Sequence, residues 1–242
     1  MKKKILFSSL LLSLAWLSGC NVKKLEDRVA QLEEKLGKVE AKLDGIEKML
    51  TPPKEEPEEQ KEAYKVPVGK SFVLNAKGSK PDEGKAHVIV FSNFQCPYCA
   101  QADTALRQLL NDPKFKDKID LVFKHFPFAR MPFARPASKA ALAAGEQGND
   151  KFWEMTELLF KNQNSLSPEN FKKWAKEIKL NVPKFEKDLK EKDKEYDEII
   201  NEDMKVGEQQ AHLQGTPWVL VNGWVLSKGV SAAAVEELLN KK

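Results

Sequence analysis

The sequence predicts an α/β domain that follows a long N-terminal helix, and three patterns indicate this fold class. A pair of cysteines, Cys96 and Cys99, joins the end of a strand-like apolar run to the start of a helix-like stretch. A long block with helical periodicity separates the third strand-like run from a hairpin signal at Asn222-Gly223. Close to the N-terminus, a heptad pattern of apolar residues predicts a coiled coil.

The first nineteen residues predict export from the cytoplasm. A basic start precedes an apolar run, Ile5 to Leu17, which is too short to span a bilayer comfortably. The run leads into Leu17-Ser18-Gly19-Cys20, which resembles the lipobox of bacterial lipoproteins. That resemblance implies that residues 1–19 are a signal peptide and that Cys20 carries the lipid anchor. An ordinary signal peptide followed by a chance cysteine is the alternative.

This leader places the chain in the oxidising bacterial cell envelope, facing the periplasm or the exterior. Asn21 follows Cys20, whereas Asp at that place resembles an inner-membrane retention signal, so the outer membrane is preferred. Lipidation would also use the only cysteine outside the Cys96–Cys99 pair.

Residues 20–50 predict a coiled-coil helix that joins identical chains in parallel. Apolar residues recur at alternating spacings of three and four, which places them on one narrow seam over about four heptads. The flanking positions are basic on one side and acidic on the other, so opposite charges meet across a parallel interface. The choice of apolar residues fits a trimer or a dimer, and a lone amphipathic helix lying on the membrane is the alternative. The seam consists of Val22, Leu25, Val29, Leu32, Leu36, Val39, Leu43, Ile46 and Leu50.

A Pro- and Glu-rich stretch, residues 51–65, predicts an extended, solvated linker. The remaining residues, 66–242, are enough for one domain with a substantial core. The formal net charge of +4 is diffuse, and no basic stripe is interleaved with aromatic residues, so nucleic acid is not an expected partner.

Within this domain, runs of β-branched and aromatic residues predict three strands before the helical block. Pro127 ends the third strand, and Asn222-Gly223 predicts a tight turn between two more strands. The predicted strands are Val68–Leu74, His87–Phe94, Ile119–Phe126, Thr216–Val221 and Trp224–Leu226.

Helical spacing and capping residues predict the helices of the domain. Pro97 suits the first turn of the helix that follows Cys96, and Ser167-Pro168 is a typical helix start. The predicted helices are Pro97–Leu110, Arg135–Gln147, Asp150–Lys161, one opening at Ser167, one or two within Val182–Leu213, and Ser231–Asn240.

Three motifs in this domain resemble the DsbA-like family of thioredoxin-fold proteins. They are FSNFQCPYC (Phe91–Cys99), KHFPF (Lys124–Phe128) and GTPWVLVNG (Gly215–Gly223). The resemblance implies a thioredoxin fold with a helical insertion at about residues 135–213. The layout of a coil before a catalytic domain also resembles the oligomeric suppressor-of-copper-sensitivity C proteins and the DsbC-type disulfide isomerases.

The resemblance, together with the place of the cysteines on the helix, implies a role for each site residue. Cys96 is expected to be the partly exposed nucleophile, because the first turn of a helix favours a thiolate, and Cys99 to resolve the mixed disulfide. Pro97 and Tyr98 are expected to tune the redox potential. No histidine stands between the cysteines, so we expect a milder oxidant than DsbA.

Two further positions follow from the same resemblance. Thr216 and Pro217 are expected to form the family's cis-proline loop, which binds the substrate backbone and tunes Cys96. Val90 stands where thioredoxin-like proteins often carry a buried carboxylate that takes the proton of the resolving cysteine. We expect no cofactor besides a redox-active Cys96–Cys99 disulfide, and the scattered His87, His125 and His212 predict no metal site.

The sequence therefore predicts a thiol–disulfide oxidoreductase that acts on exported proteins containing cysteines and is reset by a membrane redox partner. Oligomerisation groups several active sites, which favours a disulfide isomerase. The alternatives are a DsbA-like dithiol oxidase on a stalk and a non-catalytic, lipid-anchored structural or adhesive protein.

Overall fold

The computed structural model describes residues 22–50, 60–75 and 81–241. The predicted signal peptide, Cys20 and residues 51–59 of the predicted linker lie outside these ranges. In the first helix, side chains are described for residues 26–43. The chain divides into two units, the second of which begins at Gln60.

The first unit is the helix α1, Val22–Leu50, which lies where the sequence predicts a coiled-coil helix. Its described apolar seam residues are exposed in the single chain, with exposed fractions between 49% and 62%. A stripe of this kind is typical of a helix face that binds a partner. The association of such helices stays a prediction. The exposed seam residues are Val29, Leu32, Leu36, Val39 and Leu43.

The described residues of the second unit form one five-stranded sheet in the order β1-β3-β2-β4-β5. The central strands β2 and β3 are parallel, and the other neighbours pair in antiparallel fashion. The strands are β1 (Phe72–Leu74), β2 (Ala86–Ser92), β3 (Ile119–His125), β4 (Trp218–Val221) and β5 (Trp224–Val225).

Helices connect β2 to β3 and, as a block of five, β3 to β4. This block confirms the predicted helical insertion. The helices are α2 (Pro97–Asn111), α3 (Ala134–Gly145), α4 (Asn149–Lys161), α5 (Pro168–Glu177), α6 (Val182–Glu191), α7 (Asp193–Gln209) and α8 (Ala232–Leu239).

Alternate residues of the sheet face two separate apolar clusters. Val88 and Val90 of β2 contact the larger cluster, which includes α2, the helical insertion and both cysteines. Ile89 and Phe91 face the smaller cluster, which contains Val206 of α7. The sheet is therefore covered on both faces, as its apolar strands require.

The first strand is shorter than the predicted Val68–Leu74. Gly69 adopts a positive φ of 61°, which interrupts the extended run. The Val68 carbonyl accepts hydrogen bonds from Lys124 Nζ at 2.6 Å and Ser71 Oγ at 2.5 Å instead of joining the sheet. At the other end of the domain, Asn222 and Gly223 both have positive φ, as the predicted two-residue turn requires.

The described residues 60–65, assigned to the linker by composition, lie against the β4–β5 hairpin. The Tyr64 amide donates to the Gly223 carbonyl at 2.9 Å, and Gln60 Oε1 accepts from the Val225 amide at 2.8 Å. None of the helices in the described ranges combines the length and the apolar character that a membrane span needs.

Candidate functional site

A tight turn after β2 places Cys96 at the N-terminus of α2. The Cys96 amide donates to the Asn93 carbonyl at 3.0 Å, and Cys96 itself is the N-cap residue of the helix, with extended φ and ψ. Pro97 is the first helical residue, where its missing N–H costs no hydrogen bond. The strand therefore delivers Cys96 directly to the free amides of the first helical turn.

Cys96 is largely buried, with 7% of its surface still exposed. The loop before β4 lies beside its sulfur. The Cys96 thiol donates to the Thr216 carbonyl at 3.3 Å. Pro97 and Tyr98, in contrast, are exposed, and Tyr98 has an exposed fraction of 69%.

Cys99 lies one helical turn further along and is 1% exposed. Its sulfur accepts a hydrogen bond from the Asn93 amide at 3.4 Å. Both cysteines are free thiols, with Cys96 at the N-cap of α2 and Cys99 on the buried face of this helix.

The surroundings shift the pKa values of the two thiols in opposite directions. The pKa of Cys96 is lowered to about 5, mainly by a hydrogen bond from the Cys99 side chain, with further hydrogen bonds from the amides of Cys99 and Tyr98, although burial opposes this shift. Burial raises the pKa of Cys99, and the neighbouring Cys96 sulfur raises it further. These shifts favour a thiolate at Cys96 and a thiol at Cys99, which is the arrangement that thiol–disulfide exchange requires.

The loop before β4 completes the surroundings of Cys96. The Thr216–Pro217 peptide bond is cis. Trp218 pairs with Phe91 near the end of β2, and this register brings Thr216 beside the turn that carries Cys96. The structure thus brings together all four predicted residues Cys96, Cys99, Thr216 and Pro217.

The place six residues before Cys96 is occupied by Val90, which is 4% exposed and lies in the larger apolar cluster. Val90 therefore provides no buried carboxylate on this face. A buried carboxylate, Asp203, lies on the opposite face of the sheet, in an ion pair with Lys124. Lys124 Nζ lies 2.8 Å from Asp203 Oδ1, and Asp203 Oδ2 accepts from the His125 amide at 2.9 Å. This pair joins β3 to α7.

The three histidines lie at separate places in the domain, on β2, at the end of β3 and before β4. His125 is buried, and burial, followed by the charge of Lys124, lowers its pKa to about 3, which keeps the imidazole neutral. Across the described ranges, no three side chains of His, Cys, Asp or Glu are grouped so as to hold a metal ion.

The site also contains residues that sequence reasoning missed. Gln163, in a 3₁₀ turn between α4 and α5, donates to the carbonyls of Phe94 and Cys96 at 2.8 and 2.9 Å. Gln95 Oε1 accepts from the Phe133 amide at 2.6 Å. No local pattern could have identified Gln163, because the sequence separation is 67 residues and glutamine is common on exposed loops.

The chain is similar to known proteins over this domain. A family model described as thioredoxin matches residues 81–241. The probable disulfide bond formation protein D of Bacillus cereus is 32% identical over 158 residues, covering 59% of this chain and 68% of that protein. The Na(+)/H(+) antiporter NhaA 1 of Salinispora arenicola is 37% identical over 144 residues, which are 59% of this chain. The chain spans only about a fifth of that antiporter and of the other antiporters it matches.

Solved structures share the fold at low sequence identity. BdbD from Bacillus subtilis superimposes with a TM-score of 0.63 at 19% identity, covering 74% of this chain and 96% of that chain. The catalytic domain of Proteus mirabilis ScsC gives 0.57 at 19% identity, covering 71% and 90%. The chain therefore belongs to the thioredoxin family, and its fold is the DsbA-like form in which helices are inserted between β3 and β4.

Proposed function

We propose that this protein is an extracytoplasmic thiol–disulfide oxidoreductase that acts on cysteines of exported proteins. The observation that carries the proposal is the placement of Cys96 at the N-terminus of α2, beside the buried Cys99 and the cis Thr216–Pro217 bond. These surroundings lower the pKa of Cys96 and raise that of Cys99. A structural pair of cysteines has no need of a stabilised thiolate, whereas a nucleophilic one does. Family membership and the name of the Bacillus cereus relative support the same chemistry.

In the proposed reaction, the Cys96 thiolate attacks a disulfide of the substrate protein. A bond forms between Cys96 and one substrate sulfur, the substrate disulfide breaks, and the other substrate sulfur leaves as a thiolate. A free substrate thiolate can then attack the mixed disulfide and release Cys96, which rearranges the substrate disulfides without net oxidation. Alternatively, Cys99 loses its proton and attacks Cys96, which leaves a reduced substrate and a Cys96–Cys99 disulfide.

In this site, attack of Cys99 on the mixed disulfide is expected to be slower than attack by a substrate thiolate. Burial holds Cys99 in the protonated form, and Val90 offers no carboxylate to take the proton. Water or the departing substrate thiolate must accept it. A mixed disulfide that persists gives substrate thiols time to attack, which favours isomerisation over net reduction.

Thr216 and Pro217 supply the proposed contact with the substrate backbone. Pro217 has no N–H, so a peptide laid beside this loop would pair with Thr216 in the manner of an added strand. The Thr216 carbonyl already lies 3.3 Å from the Cys96 sulfur, so a peptide held there would present its disulfide to the nucleophile.

The finer proposal is an oligomeric disulfide isomerase joined through residues 22–50, as a trimer or a dimer. The exposed apolar seam of α1 supports it, because five large apolar residues in water would be covered in a parallel coiled coil. Several catalytic domains around one assembly would hold a misfolded substrate and exclude small oxidising partners.

A dithiol oxidase on a stalk is the second candidate, and the low pKa of Cys96 favours it. A stabilised thiolate stabilises the reduced protein, which makes the Cys96–Cys99 disulfide a better oxidant. In this direction the disulfide would pass to the substrate and a membrane redox partner would restore it.

Refolding of ribonuclease separates these candidates. The chain from Asn21 onward and a version lacking Val22–Leu50 are each given scrambled ribonuclease and, separately, reduced ribonuclease. Recovery of scrambled enzyme by the longer version only would support the oligomeric isomerase. Oxidation by both versions with unscrambling by neither would support the oxidase. A Cys96→Ala variant gives the background rate of both assays. Activity no higher than this background in either assay would support a non-catalytic envelope protein.

We further propose that Cys20 carries a lipid anchor and that the protein faces the periplasm or exterior from the outer membrane. Cys20→Ala should then move the protein from the membrane fraction to the soluble fraction. Recovery of this variant in the membrane fraction would contradict the anchor.

A further inference from the structure

We propose that Gln163 is a positioning residue for the nucleophile, through which the helical insertion sets the reactivity of Cys96. The inference rests on the proposed function and names a residue that the thioredoxin core itself does not contain. Gln163 belongs to the 3₁₀ turn Gln163–Ser165, which links α4 to α5 within the insertion.

The half-buried Gln163 side chain binds the active-site turn at two points. Its Nε2 atom donates to the Phe94 carbonyl at 2.8 Å and to the Cys96 carbonyl at 2.9 Å. These carbonyls stand on either side of Gln95, so a single amide group fixes the orientation of the peptide units that lead into α2. Both amide hydrogens are used, which leaves this group little freedom to rotate.

The same turn is held from its other side by residues just before α3. Gln95 Oε1 accepts from the Phe133 amide at 2.6 Å, and Asn93 Nδ2 donates to Met131 Sδ at 3.2 Å. The turn is therefore held by the loop before α3 and by the turn that contains Gln163. Among the described residues, Gln163 supplies the only side-chain donor that reaches the Cys96 backbone.

The hydrogen bond from Gln163 to the Cys96 carbonyl links the insertion to the first turn of α2, which surrounds the reactive sulfur. The carbonyl begins the hydrogen bonding of α2, because it accepts from the amides of Cys99 at 3.0 Å and Ala100 at 3.3 Å. The amides of Tyr98 and Cys99 in the same helical turn stabilise the Cys96 thiolate. A carbonyl fixed by Gln163 thus fixes the direction in which this first turn presents its amides to the sulfur.

The test is the pH dependence of Cys96 alkylation in the full chain. Cys20→Ala leaves Cys96 and Cys99 as the only thiols, and reaction of the reduced protein with iodoacetamide is followed from pH 4 to pH 9. Gln163→Met keeps the length of the side chain and removes its donors. We expect the pKa of Cys96 to rise by about one unit in the variant, so alkylation of Cys96 slows about tenfold at pH 4. At pH 8 the rate is unchanged, because Cys96 is ionised in both the wild type and the variant.

Gln147→Met is the matched control. Gln147 is also half-buried in the insertion and also makes two hydrogen bonds to backbone, donating to the Asn181 carbonyl at 3.1 Å and accepting from the Asn181 amide at 2.8 Å. A merely structural role for Gln163 would lower the thermal stability of its variant and leave the pH profile of Cys96 alkylation as in the wild type. The inference requires that only the Gln163 variant shifts the profile.

Gln163→Leu is a second variant in case Gln163→Met does not fold. Its side chain is uncharged and has no donor for the two carbonyls, so the pKa of Cys96 should rise again. An unshifted profile in a folded Gln163 variant overturns the inference and leaves the proposed function intact. A wild-type protein whose Cys96 titrates as an ordinary thiol and forms no mixed disulfides would overturn the proposed function itself.

Discussion

Replacing Lys124 by Met should destabilise the domain strongly and in a pH-dependent way. Lys124 and Asp203 have side-chain exposures of 2% and 4%, and their charged atoms are 2.8 Å apart. Removal of one partner from a buried ion pair generally costs about 3 to 5 kcal/mol, because the other charge stays buried without compensation.

The local contacts place this loss near the lower end of the range. Asp203 Oδ2 keeps its hydrogen bond from the His125 amide, and the Val68 carbonyl keeps the one from Ser71 Oγ. Only Asp203 Oδ1 loses its partner outright. We therefore expect the free energy of unfolding to fall by about 3 kcal/mol at pH 8.

The pH dependence follows from the titration of Asp203. Burial already raises the pKa of this carboxyl to about 6, against the opposing effect of Lys124. Without Lys124 the pKa rises further, so at pH 5 the variant buries a neutral acid rather than a charge. Each unit of additional pKa shift recovers about 1.4 kcal/mol at pH 5, so the loss there should be at most about half of that at pH 8.

Urea unfolding of the oxidised protein at pH 5 and pH 8, followed by tryptophan fluorescence, measures both quantities. Lys228→Met is the control, since Lys228 and Glu237 are 3.0 Å apart but 70% and 61% exposed, and an exposed pair contributes below about 1 kcal/mol. A loss below 1 kcal/mol for Lys124→Met, or an equal loss at both pH values, would refute this reasoning.

Three further predictions test the site and the sheet. The Cys99→Ala variant should accumulate mixed disulfides between Cys96 and envelope proteins, which non-reducing gels detect, and the Cys96→Ala variant should accumulate none. Equal amounts of mixed disulfide in both variants would contradict Cys96 as the nucleophile and Cys99 as the resolving cysteine. The pKa of Cys96 is lowered in the folded state, so the stability of the reduced form relative to the oxidised form should rise by about 1 kcal/mol per pH unit from pH 5 to pH 8 and fall again as the pH is lowered. Urea titrations of both forms measure this difference in stability. A difference that does not change with pH would count against a stabilised thiolate. Asn149→Ala should lower the free energy of unfolding by about 1 to 3 kcal/mol, because the Asn149 side chain forms hydrogen bonds with both the amide and the carbonyl of the buried Val73. A change within about 0.5 kcal/mol, which is typical of a surface substitution, would contradict this and show that water replaces these bonds.

Local patterns were sufficient to predict the elements that build the site. The β-branched run before Cys96, Pro97 in the first helical turn and the Asn222-Gly223 turn each encode their conformation within a few residues. The order of these elements, with a helical block before the hairpin, then indicated the fold. Strand β1 was predicted too long because neither Gly69 nor the bond from Lys124 to the Val68 carbonyl changes the apolar pattern.

Contacts between distant parts of the chain could not be predicted in this way. Gln163 contacts the Cys96 carbonyl across 67 residues, and Asp203 pairs with Lys124 across 79. Nothing in the amphipathic pattern of a helix marks an acidic residue as buried until its partner is known. The low exposure of Cys96 has the same origin, because the covering loop at Thr216 lies 120 residues away.

Both edges of the sheet are occupied by the chain itself. At β1 the Asn149 side chain forms hydrogen bonds with both the amide and the carbonyl of Val73. At β5 the Gln60 side chain accepts from the Val225 amide, and the Tyr64 amide donates to the Gly223 carbonyl. Exposed edges recruit foreign strands, and a protein that handles unfolded chains meets such strands continually. In the proposed function, these caps protect the enzyme from co-aggregating with its own clients. In the same proposal, the Thr216 loop is the place where an extended client would pair with the enzyme and bring its disulfide to Cys96.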